Sequence, residues 1–126
     1  MSQSLIASFG LTGSSPFTSS VSITYDNATG MQRLALTGAQ TYAVDLAMMP
    51  AAGCKALRLR YETTDALGAD VTASITVMFT SSAVAKSMSF GPGAEIQIAD
   101  PNVVAGITAL SITTTGNALV YVSAVG

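Results

Sequence analysis

The sequence predicts an all-β fold: an antiparallel β-sandwich, jelly-roll-like, of nine or ten short strands. Three observations carry this. Apolar and polar residues alternate with period two almost throughout. Turn-forming clusters of Gly, Pro, Asn, Asp and Ser recur every eight to twelve residues. The one helical candidate, Ala47 to Ala56, is alanine-rich but cut by Pro50 and Gly53.

In chain order, Ser4 to Leu11 places Leu5, Ala7, Phe9 and Leu11 on one face, and Gly13-Ser14-Ser15-Pro16 ends it. Val21, Ile23 and Tyr25 line a second strand. Asp26-Asn27-Ala28-Thr29-Gly30 reads as a turn, and Met31 to Leu36 as the return strand of a hairpin. Tyr42, Val44, Leu46 and Met48 alternate next, before Pro50-Ala51-Ala52-Gly53. Lys55 to Glu62 is the clearest half-buried strand, with Leu57, Leu59 and Tyr61 opposite Arg58, Arg60 and Glu62. A polar loop around Gly68 leads to Val71–Phe79. A turn at Ser81-Ser82 precedes Val84, Lys86, Met88 and Phe90. Gly91-Pro92-Gly93 breaks the chain before a short strand at Ile96 and Ile98, which stops at Asp100-Pro101-Asn102. Ile107–Thr114 and Ala118–Val125 are read as a closing hairpin over Thr115-Gly116-Asn117. No fixed-length repeat marks a solenoid, and no composition shift marks a linker. The expectation is one sandwich domain over residues 1–126, with residues 1–10 either an arm reaching a neighbour or an edge strand of the domain's own sheet.

The chain has 126 residues and a mass of 12.7 kDa, for which surface scaling gives roughly 6,200 Å² of accessible area when folded. Lys and Arg number 5 against 7 Asp and Glu; this balance argues against a broad nucleic-acid surface, which needs a basic surplus. The sequence has no His and 1 Cys. Histidine-based nucleophile systems, a zinc cluster and an internal disulfide are therefore ruled out. Charged residues make up 10%, against about 25% in ordinary soluble domains, and mean hydropathy is +0.51. The opening has no basic residue before Arg33 and no continuous apolar run, so neither a secretory signal nor a membrane helix is expected. A lipid-facing barrel would want aromatic girdles, and Trp is absent.

Each motif has a plain and a functional reading. Arg58, Arg60 and Glu62 share a strand face, suited to a neighbouring subunit or an anionic ligand, or simply a solvated face that discourages edge pairing. Glu62, Asp65 and Asp70 surround one loop and Asp100 another, but their spacing fits no recognised calcium loop, and no metal or cofactor is expected. The seven acids form no pair suited to hydrolysis, and the glycine-rich points lack the Lys and helix of a phosphate loop. Asn27-Ala28-Thr29 is read as a turn. Cys54 is read as a small apolar filler, and Met48, Met49, Met78 and Met88 as core residues. Phe9, Tyr25, Tyr61 and Phe79 are likewise assigned to the core.

The chain resembles the small, histidine-poor, Ala/Ser/Thr/Gly-rich β-sandwich proteins of tailed-bacteriophage virions. The likeness is carried by the opening Val21-Ser22-Ile23-Thr24-Tyr25-Asp26-Asn27-Ala28-Thr29-Gly30, the Leu57-to-Tyr61 strand, and the ending from Gly106 through Val122. It implies a non-enzymatic virion component assembled in the host cytoplasm, foremost a capsid decoration (cement) protein. Its implied partners are the major capsid protein or another virion protein and further copies of itself, the resemblance implying a trimer; no nucleic acid and no membrane are expected as partners. Leu5, Phe9, Arg58, Arg60 and Glu62 are the expected interface residues. The alternative is a carbohydrate- or receptor-binding module, which would want Phe17, Tyr42, Phe90 and Tyr121 gathered on one exposed patch.

Overall fold

The computed structural model describes residues 2–14 and 16–126; Met1 of the expected arm and Ser15 of the first loop lie outside the described residues. The alternating segments become ten strands: β1 (Gln3–Leu11), β2 (Phe17–Tyr25), β3 (Gln32–Leu36), β4 (Gln40–Ala43), β5 (Ala56–Tyr61), β6 (Ile75–Ser81), β7 (Val84–Phe90), β8 (Glu95–Ala99), β9 (Ile107–Thr114) and β10 (Ala118–Val125). No helix occurs among the described residues. The Ala47–Ala56 candidate instead makes turns up to the start of β5.

Strands β3 to β10 form two four-stranded antiparallel sheets, β3-β10-β5-β8 (sheet I) and β4-β9-β6-β7 (sheet II). The chain changes sheet at every connection except β6–β7, which gives the eight-stranded order of a jelly roll. β1 and β2 pair only with each other, in an N-terminal hairpin outside both sheets.

Two expected hairpins are corrected. Asp26–Gly30 does not return the chain onto β2, because β3 pairs with β10. Asp26 and Asn27 instead donate their backbone N–H groups to Gly126 O, at 3.2 and 2.9 Å, and bind this segment to the C-terminal strand. Thr115-Gly116-Asn117 is not a hairpin loop, since β9 and β10 lie in opposite sheets. It turns a corner of the sandwich, and Gly116 is not among the positive-φ glycines.

The core lies between the sheets. Leu57, Leu59 and Tyr61 of β5, Ile75 and Val77 of β6, Ile112 of β9, and Val120 and Val122 of β10 are all at most 2% exposed. The buried Tyr61 hydroxyl is satisfied by donating to Ala73 O at 2.8 Å. Cys54 fills the role expected of it. It is buried in this core, which pushes its thiol pKa up. Beside it two backbones cross: Gly53 has φ 90°, and a Cβ there would stand 2.6 Å from the Gly106 carbonyl carbon. Only glycine permits that approach.

Candidate interaction surfaces

The two outer faces of the sandwich differ in chemistry. On sheet II the register sets Thr41, Thr113, Thr76 and Ser89 in one row, and Ala43, Ser111, Met78 and Ser87 in the next. No residue in either row is charged. Hydroxyls pair across the strands, Thr41 with Thr113 at 2.9 Å and Thr76 with Ser89 at 3.4 Å.

The outer face of sheet I carries all three arginines. One row reads Arg33, Tyr121, Arg60, Glu95, and the next Ser123, Arg58, Gln97. Arg58 Nε meets Glu95 Oε1 at 2.5 Å, and Arg60 Nε meets Glu62 Oε1 at 3.0 Å. A hydrogen bond from the Gln97 amide, with the Arg58 guanidinium beside it, holds the Glu95 carboxyl below its ordinary value. Both ion pairs are half in water, so each is worth about 0–1 kcal/mol. Arg58, Arg60 and Glu62 line a groove of about 370 Å³ together with Met31 and Tyr121.

The third row of this face, Val125, Ala56 and Ala99, is small and apolar. Leu5 and Ala7 of the N-terminal hairpin face it across a cleft of about 270 Å³ that Arg58 also lines. The hairpin register explains the seating. Leu5 opposes Ile23, Ala7 opposes Val21, Phe9 opposes Ser19 and Leu11 opposes Phe17, so these side chains form one face. Its base is buried: Ile23 is 0% exposed, Leu5 and Ala7 are half-buried, and Lys55 Nζ donates to Thr24 O at 2.8 Å. Its far end is not. Phe9, Leu11 and Phe17 are 48%, 53% and 55% exposed. Phe9 is therefore not a core residue, because the stripe runs past the edge of the body that would cover it.

The five expected interface residues thus fall into a chain of neighbouring sites. Leu5 and Arg58 share the cleft under the hairpin, Arg58, Arg60 and Glu62 share the groove beyond it, and Phe9 stands on the free end. Among the described residues, 2–10 do not form an edge strand of either sandwich sheet. The described part pairs with β2, making a two-stranded projection.

Sequence reasoning missed a second apolar opening. Val84, Lys86, Met88 and Phe90 pair with Ser81, Phe79, Val77 and Ile75, so they point inward from β7. Val84 and Met88 are nevertheless 56% and 57% exposed, as is Ile98 of β8 at 37%. β7 and β8 are the last strands of their sheets, so these inward side chains are left uncovered at that edge of the sandwich. Met78 on the outer face of sheet II and Met48 are also exposed; of the methionines assigned to the core, only Met49 packs against it. Alternation had marked the Met88 face as apolar, and strand order left it uncovered.

Asp65, weighed as a calcium ligand, is spent on its own loop. Its Oδ1 accepts from Leu67 N at 2.9 Å and Ala69 N at 3.0 Å, and its Oδ2 faces Asn117 Nδ2 at 3.5 Å. These bonds, led by that from Ala69, hold its carboxyl below the ordinary value. Asn117 Oδ1 in turn accepts from Gly38 N at 3.0 Å, which ties three loops together. Among the described residues no three His, Cys, Asp or Glu side chains converge as metal ligands. Of the four aromatics named for a glycan patch, Tyr42 and Phe90 pack against the core, Phe17 lies on the hairpin and Tyr121 on sheet I. No family model, no curated protein and no solved structure matches the chain.

Proposed function

We propose that this protein is a structural component of a bacteriophage virion, foremost a capsid decoration (cement) protein that binds the head lattice as an oligomer and performs no catalysis. The observation that carries the reading is the N-terminal hairpin: an uncharged two-stranded arm, seated on the body at its base, with an apolar stripe that continues past the body into solvent. The chain exposes 7274 Å², about 1,000 Å² more than the roughly 6,200 Å² that scaling gives a compact monomer of this mass. Surface of that kind and extent is suited to burial against neighbours, and repetition on a lattice supplies them. The resemblance to small virion β-sandwiches supplies the setting, and a trimer is the assembly proposed.

A second reading, a carbohydrate- or receptor-binding module, is favoured by the groove beside Tyr121, where arginines and a carboxylate stand ready to hydrogen-bond a polar ligand. The dispersal of the other three aromatics weighs against it.

The test is to look for the polypeptide in purified particles of a phage encoding it and to image those particles by electron cryomicroscopy. Density of this shape at regular positions on the head supports the proposal. Absence of the polypeptide from the particle overturns it.

A further inference from the structure

We infer that the groove on the outer face of sheet I binds a single carboxylated sugar residue of an acidic glycan, with its carboxylate on Arg58 and Arg60 and its ring against Tyr121. The inference gives the carbohydrate-binding reading of this groove a ligand class. It rests on that reading and not on the virion role.

The register builds the site. Arg33 and Arg60 are the cross-strand partners of Tyr121 on its two sides, so two guanidinium side chains flank one phenol ring on the same face. In the neighbouring row Arg58 pairs with Ser123. The groove takes Tyr121 and Arg60 from the first row and Ser123 and Arg58 from the second. Its volume of about 370 Å³ falls at the lower end of small-ligand clefts, about 300–1,000 Å³.

Charge limits the occupant. All three arginines stand on this face, against the two carboxylates Glu62 and Glu95. Each carboxylate is met by one arginine through Nε, and Arg33 joins no ion pair among the described residues. The surplus is one positive charge, which suits one added carboxylate and not a run of phosphates or acidic side chains. The chain as a whole has a net charge of −2, which repels a polyanion further. With Nε committed, the Nη groups at the tips of Arg58 and Arg60 remain as donors, and a planar guanidinium matches a carboxylate in geometry.

The other lining groups select a sugar among singly charged ligands. A sugar ring has an apolar C–H face and a rim of hydroxyls. Tyr121 is half-buried and offers the face of its ring, and Met31, 75% exposed, extends that apolar side. Glu62 lines the same groove, and its carboxylate only accepts hydrogen bonds. Sugar hydroxyls donate to it. An ionised acidic peptide side chain has no proton to donate and is repelled by it.

Methyl glucuronide and sialyllactose, which each carry one carboxylate, are the probes in an NMR titration of the isotope-labelled full chain. Methyl glucoside and lactose are their uncharged counterparts, and tetraglutamate is the acidic peptide. At least one acidic sugar is expected to shift the amide signals of the groove residues and to bind about ten-fold more tightly than its counterpart. Arg60→Gln is expected to weaken that binding about ten-fold, and Tyr121→Leu about five-fold. Arg60 is exposed, so its substitution should leave the thermal midpoint nearly unchanged and the loss reports a ligand contact. Full affinity in Arg60→Gln overturns the inference. Equal binding of acid and counterpart in the groove overturns it and leaves the carbohydrate reading standing. Absence of binding by all four sugars at millimolar concentration overturns both. Tighter binding of tetraglutamate than of either acidic sugar overturns the inference in favour of an acidic peptide.

Discussion

The molecule has two antiparallel hairpins with similar patterns and different fates. In β6–β7, the inward residues of β6 are sealed: Ile75 and Val77 are 1% and 0% exposed. Their partners on β7 alternate just as regularly, yet Met88 is 57% exposed. In β1–β2 the contrast runs along the strands. Ile23 at the base is fully buried, and Phe17 six residues away is 55% exposed. Period-two alternation marks which face is apolar. What covers that face depends on strand order and on where the body ends. β6 has β9 on its other side, β7 has nothing, and the arm outruns its support.

The largest predicted effect measures this difference directly. Ile75→Ala removes a sealed side chain and is expected to lower stability by about 2–5 kcal/mol in denaturant unfolding. Met88→Ala, the same class of truncation one strand away, is expected to change monomer stability by no more than about 0.5 kcal/mol. Similar losses from both would mean that Met88 is covered in solution.

Next in size is the base of the arm. Ile23 is buried yet stands apart from the main core cluster. Ile23→Ala is expected to cost about 2 kcal/mol, chiefly as local opening of the hairpin. Limited proteolysis should then cut within residues 3–25 faster, while residues 26–126 remain protected. Loss of the whole body to the protease would show that arm and sandwich unfold as one unit.

These contrasts also mark how much the sequence discloses. The strands and their apolar faces were legible from alternation, and the break of the 47–56 segment from Pro50 and Gly53. Strand partners were not. The residues 26–30 look like a hairpin turn, but Asp26 and Asn27 bond through their backbones to Gly126 and Thr29 to Ala124, nearly a hundred positions away. Thr115-Gly116-Asn117 has hairpin chemistry and serves as a corner. Local turn composition states that the chain bends, not which sheet it enters. Arg58, Arg60 and Glu62 were found because they alternate along β5 and the residue just after it. The exposure of Val84, Met88 and Ile98 was invisible because it depends on which strands end the two sheets.

Acid separates the hairpins from the loops. The arm has no carboxylate side chain before Asp26, whereas the body holds the Asp65 carboxyl below its ordinary value through backbone N–H bonds. A carboxyl whose folded pKa is depressed stabilises the fold above its unfolded pKa of about 4, and that stabilisation is lost as pH falls through the folded value. The thermal midpoint should therefore fall on acidification below about pH 4. Asp65→Asn should begin lower at neutral pH and fall less steeply in acid. An identical slope in the variant would assign the acid response to other groups.

The smallest effect concerns the turn that makes β6–β7 a hairpin. Ser81 pairs with Val84, which leaves Ser82 and Ala83 as the two turn residues, at φ 50° and 61°. Two-residue hairpin turns with both central residues at positive φ favour Asn-Gly, since Asn tolerates the left-handed region and Gly has no Cβ to clash. Ser82 and Ala83 hold this conformation at a cost that the β6–β7 ladder offsets. Ser82→Asn with Ala83→Gly should relieve that strain and stabilise the fold by about 0.5–1 kcal/mol, the added chain freedom of glycine offsetting part of the gain. Because the turn lies at the open side of the body, the double variant should leave protease cutting of the arm unchanged while raising the midpoint of the main unfolding transition. A lower midpoint would show that Ser82 and Ala83 make contacts worth more than the strain they carry.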